Sequence, residues 1–187
     1  MAFSVFGNIF INTNGGMAIK KLIPNFIFKN VFEVTPSFIL EQNKKGVIFD
    51  VDDTLVPYNN NDFGEELEEY FASLAQNNIA VGLLTNNGDD RVLALIGKRN
   101  IKFIAKAGKP LKGGYVRLLH ELDLSADQVI FVGDQLFTDV LGANRMKISS
   151  AIVTKFRDND YFFVAMKRYF ERIILRFYGI KIEDYLV

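Results

Sequence analysis

The sequence of 187 residues has no cysteine, a single histidine and a net charge of zero. Without cysteine it has no disulfide, no thiolate metal site and no cysteine nucleophile. A Ser-His-Asp triad could be built only around His120, which lies in a stretch of helical pattern far from any candidate serine, so we expect a surface histidine. Because the charges balance, no overall field attracts nucleic acid, and we expect no nucleic-acid partner.

Long apolar runs are also missing, and no segment approaches the roughly 20 residues that a membrane-spanning helix needs. Residues 1–11 are apolar but carry no charged segment and no small-residue cleavage site, so we do not expect a signal peptide. Hydrophobic residues make up 49% of the chain and charged residues 24%, which is ordinary for a folded protein. These observations favour one cytoplasmic domain with a sizeable core.

Short apolar runs alternate along the chain with segments of helical periodicity. The runs predict strands at Val47–Asp50, Ile79–Thr85, Ile101–Ala105, Gln128–Asp134 and Ser150–Thr154. The periodic segments predict helices at Ser37–Gln42, Gly64–Asn77, Asp89–Lys98, Gly113–Leu122 and Thr138–Met146. This alternation predicts right-handed crossovers and a parallel sheet covered on both faces. The predicted fold class is therefore three-layer α/β, with a five-stranded parallel sheet.

Two further segments flank this core. Residues 1–16 are expected to form a flexible N-terminal extension, and residues 17–187 a single domain. Asp160–Tyr178 has an amphipathic pattern that predicts a C-terminal helix. Three arginines, four residues apart, form a basic stripe on it: Arg168, Arg172 and Arg176. The pattern leaves two interpretations open, a helix lying on an anionic membrane and a helix packed on the sheet with a solvated basic edge.

Residues that can bind ligands or take part in catalysis lie at the ends of four of the predicted strands. In chain order they are Asp50 and Asp52, then Thr85 and Asn86, then Lys109, then Asp134 and Asp139. Open α/β folds bind ligands at the carboxyl edge of the sheet, where these residues are expected to meet. Neighbouring carboxylates repel and call for a cation, and hard oxygen ligands suit Mg²⁺. Each segment alone could be a turn or a helix cap, but the four together favour one functional site.

These four motifs resemble those of the haloacid dehalogenase (HAD) superfamily of aspartate-nucleophile phosphatases. Longer stretches, including Asp50–Val56 and Gly133–Arg145, are similar to the YqeG-type phosphatases of subfamily IIIA, and the resemblance covers about Met17 to Thr154. Eukaryotic members of that group are mitochondrial phosphatidylglycerophosphatases. The resemblance implies a Rossmann-like HAD fold and a Mg²⁺-dependent phosphatase, with phosphatidylglycerophosphate as the favoured substrate. Another phosphorylated metabolite or protein is the alternative, and a non-catalytic interaction module is a third interpretation.

The resemblance also implies roles for individual residues. Asp50 is expected to be the nucleophile that forms an aspartyl-phosphate, and Asp52 the general acid and base. Mg²⁺ is expected between the Asp50 carboxylate, the backbone carbonyl of Asp52 and Asp134. The phosphoryl oxygens are expected to be held by Thr85, the Asn86 amide and Lys109.

Three further residues near these positions have separate assignments. Asp139 is expected to support the metal site or to pair with Lys109, and a cap at a helix start is the alternative. Lys106 competes with Lys109 for the role of the site lysine, but its position before Gly108 makes it the weaker candidate. Asp53 is expected only to cap its turn.

The segments between the motifs are short. Those from Thr54 to Thr85 and from Thr85 to Lys109 are each used up by one helix and its connections, so we expect no large cap domain. A catalytic rim without a lid is open to large substrates, whereas small metabolites usually need a closing element. The favoured partner is therefore a phosphorylated substrate such as a membrane phospholipid headgroup, with peripheral contact at the inner membrane surface through the C-terminal helix.

Overall fold

The architecture is a single sheet of six parallel strands. The structure is a computed structural model and describes residues 21–58, 60, 62–97 and 99–153. The strands are β1 (Phe26–Phe28), β2 (Gly46–Phe49), β3 (Ala80–Leu84), β4 (Lys102–Ile104), β5 (Val129–Gly133) and β6 (Ser149–Val153). They lie in the order β1-β6-β5-β2-β3-β4, and every neighbouring pair is parallel. All the carboxyl ends of the strands therefore meet at one edge, with β2 near the middle.

Helices on the two faces of the sheet connect these strands. They are α1 (Pro36–Glu41), α2 (Gly64–Gln76), α3 (Asp89–Ile96), α4 (Lys112–Leu122) and α5 (Leu141–Arg145). A π-helical turn at Leu136–Val140 leads into α5, and short 3₁₀ turns lie at Val31–Glu33 and Ala126–Gln128. The start of α1 is fixed by its sequence, because Thr35 Oγ1 accepts a hydrogen bond from Phe38 N at 3.2 Å and Pro36 is the first helical residue.

Both faces of the sheet are buried, which makes the fold three-layered as predicted. Along β2, Val47 and Phe49 point into a core cluster shared with α2 and α3, whereas Ile48 points to the opposite face. There it shares a second cluster with Tyr115 and Leu118 of α4. Because alternate residues of β2 face different cores, the strand must be apolar throughout, and it appears in the sequence as a continuous apolar run.

The prediction of five strands was wrong, because β1 was missed. Phe26–Phe28 is only three residues long and pairs with β6 alone, at the edge of the sheet. Its first two residues are only partly buried. A segment this short shows neither the alternation of a half-buried strand nor the length of a buried one, so its periodicity does not distinguish it from a loop.

The other predicted elements of the described residues are present, with ends shifted by one or two residues. The predicted helix Thr138–Met146 is divided into the π-helical turn and the shorter α5. Among the residues described, one α-helix lies between β2 and β3 and one between β3 and β4, which leaves no large cap. The predicted N-terminal extension and the helix at Asp160–Tyr178 lie outside the described residues.

α4 packs closely against the preceding loop at one of two neighbouring glycines, and substitutions at both can test this packing. A Cβ on Gly114 would lie 2.7 Å from the backbone oxygen of Ala107, whereas a Cβ on Gly113 would meet nothing within 4 Å. We expect Gly114→Ala to lower the free energy of unfolding by about 1–3 kcal/mol through overpacking. Gly113→Ala, the matched control, should leave it unchanged or raise it by up to about 1 kcal/mol. Urea unfolding measures both, and equal effects would contradict the close approach.

Candidate active site

Three buried carboxylates meet at the carboxyl edge of the sheet. Asp50 directly follows β2, and its backbone N–H donates to Val132 O of β5 at 2.9 Å. Asp134 directly follows β5, and Asp139 lies in the π-helical turn. One carboxylate oxygen from each acid lies within 4.8 Å of the others, and all three residues are buried. The predicted neighbours Asp50 and Asp134 are thus brought together, with Asp139 as the third member.

The position of Asp139 depends on a glycine and on the π-helical turn. Asp139 Oδ2 accepts a hydrogen bond from the backbone N–H of Gln135 at 3.0 Å. A Cβ on Gly133 would lie only 2.5 Å from this side chain, so the carboxylate occupies space that any other residue at position 133 would fill. The turn therefore directs Asp139 inward over the end of β5.

Lys109 lies between two of these acids, and its predicted role in binding the phosphoryl group remains a prediction. Its Nζ is 2.6 Å from Asp50 Oδ1 and 2.7 Å from Asp139 Oδ1, and its side chain is 3% exposed. The competing Lys106 has a side chain that is 76% exposed and pairs with Asp89 at 3.7 Å. Of the alternatives for Asp139, the pairing with Lys109 is therefore present in the structure.

Asn86 holds the loop that carries the lysine. Asn86 Nδ2 donates to Lys109 O at 3.1 Å, and Lys109 N donates to Asn86 Oδ1 at 2.7 Å. The backbone oxygen of the buried Thr85 accepts from Ala107 N at 2.9 Å in the same loop. The described contacts of the Asn86 side chain thus fix Lys109, while the expectation that Thr85 and the Asn86 amide hold phosphoryl oxygens remains a prediction.

The Asp52 carboxylate contacts Arg91 of α3 and Asn87, which follows β3. Arg91 Nε donates to Asp52 Oδ1 at 3.0 Å, and Arg91 Nη2 forms an ion pair with the same oxygen at 2.9 Å. Asn87 Nδ2 donates to Asp52 Oδ2 at 2.5 Å. The expectation that Asp52 contributes to a metal site through its backbone carbonyl remains a prediction.

Arg91 and Asn87 were not found by sequence reasoning. A signal was present, because Arg91 lies in the first turn of α3, where the helix dipole disfavours a cation and acidic residues such as Asp89 are usual.

Asp53 lies in the turn after Asp52, as expected, since it has a φ of 61° there and its Oδ1 accepts from Tyr58 N at 3.4 Å. His120 is exposed, as expected.

The electrostatics of the cluster favour the addition of positive charge. The pKa of Asp50 is raised from 3.8 to about 8, mainly by burial and also by the Asp139 and Asp134 charges, while Lys109 acts in the opposite direction. Burial alone would lower the pKa of Lys109, but Asp139 and Asp50 raise it on balance above its usual value. The cluster contains three buried carboxylates, and the buried Lys109 contacts two of them, Asp50 and Asp139. A group of carboxylate oxygens with this excess of negative charge fits a hard divalent cation.

Comparison with known proteins agrees with this geometry. Residues 106–157, which include Lys109, Asp134 and Asp139, match the HAD-hydrolase-like family. The chain is also 35% identical over 159 residues to the probable phosphatase YqeG of Bacillus subtilis (strain 168), covering 85% of this chain and 92% of that protein. The chain belongs to the YqeG-type phosphatases of the HAD superfamily. It is therefore an enzyme, a hydrolase of the phosphatase class.

Solved structures of the same general shape are more distant. The cobalt-bound deoxy-D-mannose-octulosonate 8-phosphate phosphatase from Haemophilus influenzae is 18% identical, with a TM-score of 0.49, and the match covers 74% of this chain and 91% of that one. The corresponding phosphatase from Moraxella catarrhalis, in complex with magnesium, phosphate and KDO, is 20% identical with a TM-score of 0.48, over 76% and 93% of the two chains.

None of the helices within residues 21–153 is long and apolar enough to cross a bilayer.

The raised pKa of Asp50 predicts how stability depends on pH when no metal is present. Above about pH 4 the unfolded chain releases this proton, whereas the folded protein keeps it until the pH approaches 8. The free energy of unfolding in EDTA should therefore fall between about pH 5 and about pH 8, by at most about 1.4 kcal/mol per pH unit. Urea unfolding across this range measures the slope.

The matched control for this slope is Asp50→Asn, which removes the titrating carboxyl with almost no change of shape. This variant should show a flatter dependence on pH, and a slope equal to that of the wild type would contradict the assignment to Asp50. Because a cation favours the ionised carboxyl, MgCl₂ should raise the stability of the wild type more at about pH 8 than at about pH 5.

Proposed function

We propose that this phosphatase hydrolyses phosphomonoesters with Mg²⁺ through an aspartyl-phosphate on Asp50, and that its favoured substrate is phosphatidylglycerophosphate. The observation that carries the proposal is the position of the Asp50 carboxylate, 2.6 Å from Lys109 Nζ and beside Asp134 at the carboxyl edge of β2. A carboxylate nucleophile needs neighbouring cations to receive a phosphate dianion, and this position offers one cation and the acids to bind another.

The proposed reaction has two steps. First, an oxygen of Asp50 attacks phosphorus and the bond to the leaving oxygen breaks, while Asp52 gives that oxygen a proton. Then a water molecule attacks phosphorus and gives a proton to Asp52, and the bond to Asp50 breaks to release inorganic phosphate. Lys109, together with Thr85 and the backbone N–H of Asn86, binds the phosphoryl oxygens in both steps.

The chain offers suitable ligands for Mg²⁺. The carboxylates of Asp50 and Asp134 and the backbone carbonyl of Asp52 would hold the ion, as expected from sequence. When bound, Mg²⁺ reduces the repulsion between the anionic nucleophile and the anionic phosphate. Asp139, whose oxygens accept from Lys109 and Gln135, keeps the lysine in position instead of binding the ion directly.

Two substitutions test the mechanism. Asp50→Asn preserves shape but removes the nucleophile, so turnover of p-nitrophenyl phosphate should fall by several orders of magnitude. Asp134→Asn should raise the Mg²⁺ concentration needed for half-maximal activity, and EDTA should abolish the activity of the wild type. Retention of more than about a tenth of the wild-type rate by Asp50→Asn would remove Asp50 from the role of nucleophile.

The rim of the site supports a lipid substrate. Three exposed apolar side chains lie in loops that also carry site residues, namely Tyr58, Leu111 and Phe137, at 55%, 66% and 47% exposure. Tyr58 follows the turn after Asp52, Leu111 follows Lys109 by two residues, and Phe137 follows Asp134 by three. A charged site with an apolar rim and no large cap suits a phosphate group presented at a bilayer surface.

Paired assays test this substrate class. The double substitution Leu111→Ser with Phe137→Ser should lower turnover of phosphatidylglycerophosphate in mixed micelles more than turnover of soluble p-nitrophenyl phosphate. Leu93→Ser with Val116→Ser is the matched control, because these side chains are equally exposed but lie on the outer faces of α3 and α4. Equal losses on both substrates, or no turnover of the lipid by the wild type, would favour a soluble phosphate ester or a phosphoprotein.

Membrane contact through Arg168, Arg172 and Arg176 remains a prediction.

A further inference from the structure

We propose that Arg91 is a positioning residue, which with Asn87 holds the Asp52 carboxylate in the orientation needed to protonate the leaving oxygen. This inference rests on the proposed role of Asp52 as general acid and base. It assigns a function to a side chain that lies outside all four sequence motifs and contacts neither the acid cluster nor Lys109 in any described hydrogen bond.

The contacts of Asp52 fix the plane of its carboxylate. Arg91 Nε donates to Oδ1 at 3.0 Å, Arg91 Nη2 forms an ion pair with the same oxygen at 2.9 Å, and Asn87 Nδ2 donates to Oδ2 at 2.5 Å. The Asp52 and Arg91 side chains are only 11% and 15% exposed, so this pair is better shielded from water than a surface ion pair. Donors on both oxygens prevent rotation about the bond that carries the carboxylate, and charge-assisted bonds of this kind are strong.

The two donors are themselves held from opposite sides. Asn87 N donates to Thr85 Oγ1 at 3.1 Å, and Asn87 O accepts from Lys106 N at 2.8 Å, which fixes its backbone at the end of β3. Arg91 is anchored in α3, and its Nη2 also donates to Pro57 O at 3.4 Å, across the turn that begins at Asp52. Asp52 is thus held between two neighbouring segments rather than by its own turn alone.

The contact geometry leaves room for the proton that Asp52 must carry. A carboxylate oxygen has two lone pairs, and Asn87 supplies one described donor to Oδ2, so the second lone pair of Oδ2 is available for a proton. Oδ1 accepts from Arg91 Nε and lies 2.9 Å from the Nη2 of the same cation, whose charge opposes a proton on that oxygen. The arrangement therefore selects Oδ2 as the atom that exchanges the proton with the leaving group and with water.

A pair of substrates separates proton donation from other effects. Phenyl phosphate and p-nitrophenyl phosphate have almost the same size, but the phenolate leaving group is more basic and depends more on a proton from Asp52. We expect Arg91→Gln to lower kcat/KM, which reports the step that releases the leaving group, by about 10- to 100-fold for phenyl phosphate, within the range of general acid catalysis, and much less for p-nitrophenyl phosphate. KM should change little for either ester, and Arg91→Lys, which lacks the planar fork, should be intermediate.

A double-mutant cycle identifies the residue through which Arg91 acts. If Arg91 only positions Asp52, Arg91→Gln should cause no further loss in an Asp52→Asn background. Additive losses, or a raised KM with an unchanged kcat, would show that Arg91 binds substrate directly and would overturn the inference. A higher kcat in Arg91→Gln would also overturn it, because the ion pair would then restrain Asp52.

The same assays distinguish failure of this inference from failure of the proposed mechanism. If Asp52→Asn lowers kcat/KM, which reports formation of the aspartyl-phosphate, equally on both esters, or Asp50→Asn stays active, the proposed mechanism fails. If Asp52→Asn discriminates between the esters and Arg91→Gln does not, only the role of Arg91 fails.

Arg99→Gln is the matched control, since Arg99 pairs with Glu68 away from the site and its loss should leave both rates unchanged. Melting temperatures identify any unfolded variant, and Arg91→Lys carries the same cycle if Arg91→Gln does not fold.

Discussion

The ammonium group of Lys109 lies between Asp50 and Asp139, and the arrangement of the site depends on that contact. Burying carboxylates is unfavourable unless a cation accompanies them, and here one lysine contacts two acids at 2.6 and 2.7 Å. The lysine reaches them because Asn86 fixes its backbone, and Asp139 reaches the lysine because a π-helical turn directs it inward. Loops that follow three different strands thus converge on one ammonium group.

The site contains two carboxylates in contrasting surroundings. Asp50 is buried beside other acids, and the pKa of its carboxyl is raised. Asp52, two residues later, contacts an arginine and an amide instead. The chain turns sharply between them, with Asp53 in a left-handed conformation, so adjacent positions in the sequence enter different environments. This division of environments suits the separate roles of nucleophile and proton carrier that are proposed for them.

Most of the fold and the acidic cluster could be predicted because the strands are buried on both faces. Such strands are continuous apolar runs, and the polar residue that ends each run must lie at the carboxyl edge of the sheet. The link between Asp52 and Arg91 could not be predicted, because the partners are 39 residues apart and no periodicity specifies which basic side chain reaches which acid. The division of Thr138–Met146 into a π-helical turn and α5 was also hidden, since both produce a nearly helical spacing of apolar residues.

The missed strand β1 has a consequence for how the molecule meets other copies of itself. A sheet edge offers unpaired backbone groups to which a strand of another chain can bind. In the described residues both edges are short, because β1 and β4 contain three residues each, and β4 carries the exposed Lys102. β6 is five residues long, and β1 pairs with it. The edge on this side of the sheet is therefore the three-residue β1 and not the longer β6. The three residues therefore act as protection against edge-to-edge aggregation as well as completing the sheet.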